Sequence, residues 1–406
     1  MKKKVAVTDL QFGMYVYELD RPWTDTPFVF QGFVLKTPQQ IEALRKYCKH
    51  VFVDTVRVEG DAPAEAALAA GPGAIAPDLQ GTGKVVHVER ASVEMELANA
   101  TEVRASAEFT MQRAFEAASS GDALDSVEVK LAVGNMTDSM LRNPDAMILF
   151  NSLQERGGYQ LTRALKVSTY MIAFARFLGM DAAAIERAGM VGLLQDVGML
   201  KVPEELRSRK GRLTAQEMEV VRRHVALGVE QLRGTPGLAP EIAEVAALHH
   251  ERHDGSGYPL GKKGAALGVL GAIAGIVDVF DALTTERPYA AAMSPSNALN
   301  FLTKLKDKAF HPVLVEQFVR CIGFFPVGSV VELSTGEIGI VISQNPAKRL
   351  LPRVMLVRDA KGDPLRPQRL LDLARLPSAA GGEPYRVRRT LEYGKAGVSA
   401  KDIMMA

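Results

Sequence analysis

Hydrophobic residues follow different spacings along the chain and divide it into three regions. Up to residue 58, short runs rich in Val, Tyr and Phe alternate with turns, which is typical of strands. From residue 85 to about residue 325 apolar residues recur every three or four positions, the spacing of amphipathic helices. After Pro326 short β runs return between glycines and prolines. The pattern predicts a mainly α protein with a small N-terminal α/β module and a small C-terminal β-barrel-like extension.

Local composition sets the boundaries between these regions. Residues 59–84 are rich in Ala, Gly and Pro and contain almost no large side chains, which predicts a flexible linker. The last thirty residues are rich in Gly, Arg and Lys, which predicts a tail. The predicted order is a module at 1–58, the linker at 59–84, a helical connector at 85–150, a helical domain at 151–325, a β extension at 326–376 and a tail at 377–406.

Overall composition excludes several classes of protein. The 406 residues are 47% hydrophobic and 24% charged, which excludes a disordered or fibrous chain. The formal net charge of +2 gives no reason to expect nucleic acid as a partner. The longest apolar stretch, 267–277, is shorter than a membrane span and predicts a buried helix. Two cysteines cannot form a disulfide framework, so a cytoplasmic location is expected.

Single polar residues on apolar helices are the first candidates for chemistry. Asp196 lies in the apolar run A-G-M-V-G-L-L-Q-D-V-G-M-L, where an ionised carboxylate needs a cation or hydrogen-bond donors. The cation is either an arginine, such as Arg187 or Arg222, or a metal ion. His224 flanks the apolar stripe of the next predicted helix. A single histidine there is more often a core residue with one hydrogen bond than a ligand.

A histidine pair and a tight loop follow a helix predicted to begin at Pro240. His249 and His250 are adjacent, so on a helix their side chains point about 100° apart and suit metal binding better than joint packing. The next residues include Gly257, Tyr258 and Pro259, which predict a tight turn. That loop could hold a planar ligand against the tyrosine ring, or it could be a turn without a ligand.

Two carboxylates share one face of the predicted helix 267–285. Asp278 and Asp281 are three residues apart and repel each other unless Arg287 neutralises one and a cation the other. Imidazole and carboxylate ligands suit iron, manganese, nickel or zinc better than magnesium or calcium. The predicted metal ligands are Asp196, His224, His249, His250 and Asp278.

The order of the motifs resembles the HD-GYP family over residues 159–325. The H-H-E-R-H-D-G-S-G-Y-P segment is the most specific match. The other matching segments are L-L-Q-D-V-G-M-L-K-V-P (193–203), R-L-T-A-Q-E (212–217), R-R-H-V-A-L-G (222–228) and V-D-V-F-D-A-L-T-T-E-R-P-Y (277–289). Residues F-G-M-Y-V and V-F-V-D-T look like the small uncharacterised domain often attached to this family. The C-terminal P-V-G-S-V-V-E-L-S-T-G-E-I-G-I-V looks like its β extension.

The resemblance implies an HD-type helical bundle that hydrolyses cyclic di-GMP at a centre of two or three metal ions. It implies that Asp196, a catalytic residue, is shared between two ions. One ion would also contact His224, His249 and His250, and the other Asp278. The implied ligand-binding residues are Gly257, Tyr258, Pro259 and Arg287.

Five positions depart from the family pattern. Arg163 and Gln195 stand where the family has metal-binding histidines, so one ion rather than two is expected. Met199 replaces a lysine, Ala290 replaces a basic residue, and His253 replaces an aromatic residue. Arg163 would supply a fixed positive charge without activating water, and Gln195 offers only a neutral amide oxygen.

Two functional hypotheses remain open. In the favoured one, a degenerate HD-GYP protein binds cyclic di-GMP, a partner protein, or both, with weak or no hydrolysis. The resemblance suggests diguanylate cyclase domains as partners of the G-Y-P loop. In the second hypothesis the protein is a phosphodiesterase with a mononuclear or rearranged centre, in which His253 could be a ligand. A scaffold without any ligand would not need the predicted metal-binding residue types. An oligomer through helices 85–150 is compatible with either hypothesis.

Overall fold

The computed structural model describes most of the chain, and the predicted linker lies almost entirely outside the described residues. Those are residues 2–21, 33–35, 38–54, 82–153, 158–209, 211–286, 292–345, 348–375, 382, 384–391 and 398. The chain divides into two compact units. One unit combines residues 1–71 with 322–406, and the other contains residues 72–321. The helical connector and the helical domain predicted from the sequence therefore lie in the same unit.

The N-terminal module is a four-stranded sheet with one helix. Its elements are β1 (Lys2–Ala6), β2 (Tyr15–Leu19), β3 (Phe33–Val34), α1 (Pro38–Tyr47) and β4 (His50–Asp54). The strand order is β1-β4-β2-β3, and the paired strands are antiparallel. Val16, Val51 and Val53 are buried in its core with Leu44 of the helix. The sheet and helix confirm the small N-terminal α/β module predicted from the sequence.

The C-terminal module is an open sheet rather than the expected barrel-like extension. Its strands are β5 (Val330–Leu333), β6 (Ile338–Ser343), β7 (Arg353–Arg358), β8 (Pro364–Asp372) and β9 (Val387–Leu391). The order is β8-β7-β6-β5-β9, with antiparallel pairs, and β8 and β9 are the two edges of the described sheet.

The tail prediction is wrong for the five residues of β9. β9 pairs with β5 along the backbone, and the Glu332 carboxylate of β5 accepts hydrogen bonds from the exposed side chains of Arg388 and Arg389. Val387 is buried against the same sheet. A strand with consecutive arginines has little hydrophobic signal in its sequence, so its place in the sheet was not predicted.

The second unit is entirely helical in its described part. Its α-helices are α2 (Val93–Ser120), α3 (Ser126–Arg142), α4 (Pro144–Leu153), α5 (Tyr159–Phe177), α6 (Ala182–Leu194), α7 (Glu204–Arg207), α8 (Ala215–Arg222), α9 (His224–Arg233), α10 (Pro240–Ala246), α11 (Gly268–Thr284), α12 (Pro295–Lys304) and α13 (Pro312–Ile322). Helix α5 packs on α6 and α11, and α2 and α3 pack on α4 and α5. The predicted mainly helical architecture is confirmed, with an HD-type bundle at its centre.

Sequence-encoded caps explain where several helices begin. Ser92 accepts the Met95 N–H at the start of α2, and Asp125 accepts two backbone N–H groups at the start of α3. Thr214 and Glu217 form a capping box at the start of α8.

The ends of three helices position the site. Helix α6 ends at Leu194, so Asp196 lies at the start of a short 3-10 helix, Val197–Lys201. Helix α10 ends at Ala246, which places His249 and His250 in the following turn. A break at Arg223 separates α8 from α9, so His224 is the first residue of α9.

Gly198 allows the 3-10 helix to lie directly against α9. A Cβ at this position would lie 2.0 Å from the carbonyl oxygen of His224 and 2.4 Å from the amide nitrogen of Gly228. Only glycine permits this approach, because any side chain would overlap the α9 backbone. The contact brings Asp196 and His224 to the same place.

Helix α11 is the most apolar helix of the unit. With its preceding 3-10 turn it spans Gly264–Thr284, and by length and composition alone it could cross a membrane. The core helix of a soluble protein passes the same test. Here Ile273, Ile276 and Phe280 are buried inside the unit together with the carboxylates of Asp278 and Asp281.

Candidate metal centre

Polar side chains from five segments of the helical unit meet in its interior. They come from α5, the end of α6, the start of α9, the turn after α10, and α11. The residues are Arg163, Gln195, Asp196, His224, His249, His250, Asp278 and Asp281. The structure therefore brings together all five predicted metal ligands, with both residues that replace family histidines.

Four of these residues offer ligand atoms close enough to hold one metal ion. One ligand atom from each of Asp196, His224, His249 and His250 lies within 4.8 Å of the others. Asp196 Oδ1 is 3.4 Å from His224 Nε2 and 3.5 Å from His249 Nε2. The fifth predicted ligand, Asp278, is next to this cluster, with its Oδ2 3.6 Å from His250 Nδ1.

Backbone carbonyls orient two of the histidines towards the cluster. Nδ1 of His224 is 2.7 Å from the Val221 oxygen, and Nδ1 of His249 is 2.6 Å from the Ala246 oxygen. A carbonyl accepts only, so each Nδ1 carries a proton, and Nε2 is the atom that each ring presents to the cluster, with a free lone pair when the ring is neutral. The two Nε2 atoms are 3.3 Å apart beside the Asp196 carboxylate. Lone pairs and a carboxylate that converge in this way fit a divalent cation.

The three histidines differ in the direction in which their surroundings shift their pKa values. Burial lowers the pKa of His224, and burial with the neighbouring His249 lowers that of His250 well below its usual value. Burial also acts against a charge on His249, but the hydrogen bond and charge of Asp196 outweigh it and raise its pKa. Two of the three imidazoles are therefore kept neutral, the form that binds a metal ion.

Arg163 makes ion pairs with three carboxylates, those of Asp196 and of the buried Asp278 and Asp281. Its Nε donates to Asp196 Oδ2 at 2.9 Å, and its Nη1 donates to Asp281 Oδ2 at 2.8 Å. Its Nη2 donates to Asp278 Oδ1. Burial alone would lower the pKa of Arg163, but the charges of Asp278, Asp196 and Asp281 raise it well above its usual value. The guanidinium is a permanent cation at the position where the resemblance to the family implies a histidine.

The arginines proposed as partners of Asp196 are elsewhere, so that expectation is wrong. Arg187 pairs with Glu241 at 3.4 Å, and Arg222 lies 3.9 Å from Glu219. The signal for Arg163 was its place in an apolar helix, where a buried arginine needs carboxylate partners from other helices.

The carboxylates themselves differ in their surroundings. Burial opposes ionisation of Asp196, but Arg163 and His249 outweigh it and hold its pKa well below the usual value. Burial raises the pKa of Asp281, although Arg163 opposes this effect. Asp281 was noticed in the sequence for its spacing from Asp278 but was not predicted as a site residue.

Gln195 acts as a donor at its place in the site. Its Nε2 donates to Asp278 Oδ1 at 3.4 Å. Its Oε1 is buried and has no hydrogen-bond partner among the residues that the structure describes. An amide nitrogen directed at Asp278 cannot ligate a metal, because it has no available lone pair.

The charges leave room for one divalent ion. Asp196, Asp278 and Asp281 contribute three negative charges when ionised, and Arg163 contributes one positive charge. One divalent ion among the histidines would neutralise the remaining two charges. A second ion beside Asp278 would compete with the Arg163 guanidinium for the same oxygens. The histidine cluster therefore fits an ion, whereas the carboxylate oxygens beside Arg163 are already paired with its guanidinium.

The G-Y-P loop lies directly beside the histidines. The Tyr258 ring stacks on the His250 ring, with centroids 4.7 Å apart and an interplanar angle of 29°. The Arg222 guanidinium carbon lies 4.9 Å from the centre of the Tyr258 ring. Burial raises the pKa of the Tyr258 hydroxyl, so it is a neutral donor at physiological pH.

The remaining sequence predictions have different outcomes. His253 is outside the four-residue cluster, and its ring packs edge-on against His311 with centroids 5.2 Å apart. Gly257 and Pro259 flank Tyr258 as expected, while Arg287 and Ala290 lie outside the described residues. Within the described part of the chain, the candidate ion ligands are thus limited to the central cluster.

Comparisons with known proteins agree with the motifs. A family model described as an HD domain matches residues 146–314, and a domain of unknown function matches residues 2–129. A model described as a KOW domain associated with the HD domain matches residues 330–379. The solved structure of Bd1817, titled an HDG"Y"P protein from Bdellovibrio bacteriovorus, covers 79% of this chain and 98% of its own, with 15% identity and a TM-score of 0.47.

Two curated relatives carry names for the same reaction. The response regulator RpfG of Xanthomonas campestris pv. campestris, named a cyclic di-GMP phosphodiesterase, is 36% identical over 147 residues, which are 36% of this chain and 39% of RpfG. A protein named cyclic di-GMP phosphodiesterase from Pseudomonas aeruginosa is 32% identical over 377 residues, which are 92% of this chain and 90% of the relative. Because this last similarity extends over nearly the whole of both proteins, the chain belongs to the HD-GYP family.

Proposed function

We propose that this protein is a cyclic di-GMP signalling protein that binds the nucleotide, a partner protein, or both, with weak or no hydrolysis. The observation that carries the proposal is the Arg163 guanidinium, which donates to Asp196, Asp278 and Asp281 where a second ion would need those oxygens. Cyclic di-GMP as the ligand is inferred from the names of the relatives. Metal-dependent chemistry is expected from the HD domain.

The chemical consequence concerns the attacking water. In a two-metal hydrolase, ions about 3.5–4 Å apart produce a hydroxide and stabilise both the attacking and the leaving oxygen. Asp196, His224, His249 and His250 would hold one ion, which we expect to be iron, manganese, nickel or zinc. Arg163 keeps a positive charge beside the cluster but has no open coordination position for water. The site would therefore bind a phosphate group better than it would hydrolyse it.

One observation favours a second candidate, a phosphodiesterase with a single ion. The histidine cluster with Asp196 is complete, and its Nε2 atoms converge within 3.3 Å. A single ion with an open position can lower the pKa of a bound water in other enzymes. Under this alternative, hydrolysis depends on the histidine cluster and tolerates Arg163.

Metal analysis combined with turnover separates the two candidates. The purified protein is loaded anaerobically with Mn²⁺ or Fe²⁺, and its metal content and cyclic di-GMP hydrolysis are compared with those of His249→Ala. We expect about one ion per chain in the wild type, nucleotide binding, and hydrolysis at the level of a no-enzyme control. Turnover that disappears in His249→Ala would contradict the proposal and establish the alternative.

The G-Y-P loop is the surface on which we propose that ligands and partners bind. Tyr258 presents its ring beside the metal cluster, between His250 and the half-exposed Arg222. Partner proteins, diguanylate cyclase domains among them, would use the same loop. A cytoplasmic location is part of the proposal, because neither cysteine forms a disulfide.

A further inference from the structure

Glu251 lies between the histidine pair and the G-Y-P loop, and it has no part in the metal cluster. Its side chain is buried, with 2% of the residue exposed. Its Oε1 accepts a hydrogen bond of 2.6 Å from the backbone N–H of Leu260. The acceptor and the donor are nine residues apart, so this one bond closes the entire loop that contains Tyr258.

The loop folds back tightly onto the histidine segment. The N–H of Tyr258 donates to the carbonyl of His250 at 3.2 Å. Gly257 has no room for a side chain, because a Cβ there would lie 2.4 Å from the Arg252 nitrogen and 2.5 Å from the His250 oxygen. The base of the loop and the candidate ligand His250 therefore form one compact element.

The length of the Glu251 side chain, rather than its charge, accounts for its contact with the G-Y-P loop. Its second oxygen, Oε2, is buried and has no hydrogen-bond partner among the residues that the structure describes. Among those residues it also forms no ion pair, although the cationic side chain of Arg252 is its neighbour in sequence. The Arg252 guanidinium instead donates to backbone carbonyls and lies over the Phe310 ring. Glu251 therefore contributes one hydrogen-bond acceptor, Oε1, which its side chain is long enough to place next to the Leu260 N–H.

We propose that Glu251 is a positioning residue that fixes the G-Y-P loop so that the Tyr258 ring stays stacked on His250. It acts through the Leu260 amide and couples the ligand-contacting loop to the metal-binding histidines. The loop geometry stands on its own, whereas the effect on cyclic di-GMP affinity rests on the function proposed above.

Two substitutions separate reach from charge. Glu251→Gln keeps the side-chain length and an acceptor oxygen but removes the charge. Glu251→Asp keeps the charge but is one methylene shorter, so its oxygens cannot reach the Leu260 amide. Amide hydrogen exchange of the full chain, followed by mass spectrometry, reports on residues 252–262, and isothermal titration measures cyclic di-GMP affinity. Metal content and exchange in the other helices show whether each variant is folded.

We expect Glu251→Gln to match the wild type in amide exchange and in cyclic di-GMP affinity. We expect Glu251→Asp to exchange about tenfold faster in residues 252–262 and to bind cyclic di-GMP about tenfold more weakly, at unchanged metal content. Leu260→Ala serves as the control, because the Leu260 side chain is exposed and only its amide is used. The reverse order of the two variants, or equal behaviour of both, would overturn the positioning role. If the wild type binds no cyclic di-GMP, the nucleotide-binding part of the proposed function fails, while the exchange result still decides the role of Glu251.

Discussion

The two oxygens of Asp196 face two different chemical environments. Oδ1 faces His224 and His249 at 3.4 and 3.5 Å, while Oδ2 accepts the Arg163 Nε–H at 2.9 Å. The histidine side can be completed by an ion that enters and leaves. The arginine side is completed by a cation that is covalently part of the chain. The difference shows that one carboxylate can face a cluster of histidines with one oxygen and a buried arginine with the other.

Restoring the two replaced histidines is the strongest test of this comparison. In Arg163→His with Gln195→His, Asp278 and Asp281 lose the guanidinium, and imidazole nitrogens become available for a second ion. We expect metal content to rise from about one towards two ions per chain. We also expect cyclic di-GMP hydrolysis to rise by roughly a hundredfold or more, since removing key catalytic groups typically costs several powers of ten.

The single variants are the controls for this gain. Gln195→His alone leaves the Arg163 guanidinium on the three carboxylates, so its metal content should remain at one. If the double variant also stays at one ion, the assignment of positions 163 and 195 to the second site is wrong.

Removing the internal cation should have the largest effect on stability. Arg163→Ala leaves three interior carboxylates without their arginine, and breaking such a network costs about 3–5 kcal/mol. Arg187→Ala is the matched control, because its pair with Glu241 is exposed on both sides and contributes about 0–1 kcal/mol. Urea denaturation of the metal-free proteins measures both. A loss below about 1 kcal/mol for Arg163→Ala would mean that the carboxylates do not depend on this arginine.

The sequence predicted the candidate metal ligands around the histidines far better than it predicted the ion pairs of Arg163. His249, His250 and Asp196 were recognisable because unusual residue types interrupt apolar helices and match a motif. Their approach in space depends on where α6 and α10 end, and apolar periodicity continued through both ends. The Gly198 contact that fixes this geometry is visible only when α9 is in place.

The ion pairs of Arg163 could not be read from spacing. Asp196, Asp278 and Asp281 are 33, 115 and 118 residues away from it. Sequence reasoning selected Arg187 and Arg222, which are closer in sequence to Asp196 but lie near surface carboxylates. Edge strands show the same limit, because β9 pairs with β5, which lies more than fifty residues before it.

Metal addition should stabilise the folded protein, and this gain should depend on the histidine cluster alone. An ion at one hundred times its dissociation constant raises the free energy of unfolding by about 2.7 kcal/mol if it binds only the folded state. We expect this gain in the wild type with Mn²⁺ and its loss in His249→Ala. His87→Ala is the control, because His87 contacts the Met180 carbonyl away from the cluster. A full gain in His249→Ala would place the ion elsewhere.

Tyr258 tests whether the loop beside the histidine side contacts a ligand. Replacing Tyr258 with Ala removes its ring from both His250 and Arg222, and stacking and cation–π contacts contribute about 0.5–1.5 kcal/mol each. We expect cyclic di-GMP or partner affinity to fall about tenfold in a titration, while Tyr258→Phe retains most of it. Unchanged affinity for both ligands in Tyr258→Ala would remove the loop from the binding site.

A second buried carboxylate, Glu96, is paired with an arginine and, in the described part of the chain, has no histidine beside it. It serves as a reference for the carboxylates that pair with Arg163. Glu96 on α2 accepts hydrogen bonds from Arg142 at 2.8 and 2.9 Å and from Ser139 at 2.7 Å. Burial opposes its ionisation, but the hydrogen bonds from Arg142, Ser139 and Asn99 outweigh it and lower its pKa below 4.5. The folded state thus binds this proton less readily than the unfolded chain does.

The direction in which stability changes with pH follows from the lower pKa of Glu96 in the folded state. Because the pKa of Glu96 is lowered on folding, its contribution to stability is present above the unfolded pKa of 4.5 and is lost as the pH falls through the folded value. Denaturation of the wild type at pH 7 and at successively lower pH should show this loss, whereas Glu96→Gln should be less stable at pH 7 and flatter below pH 5. Glu102→Gln, at an exposed position of the same helix, should keep the wild-type slope. If Glu96→Gln keeps the full slope, the hydrogen bonds from Arg142, Ser139 and Asn99 do not hold this buried carboxylate ionised, and the same kind of explanation for Arg163 would lose its support.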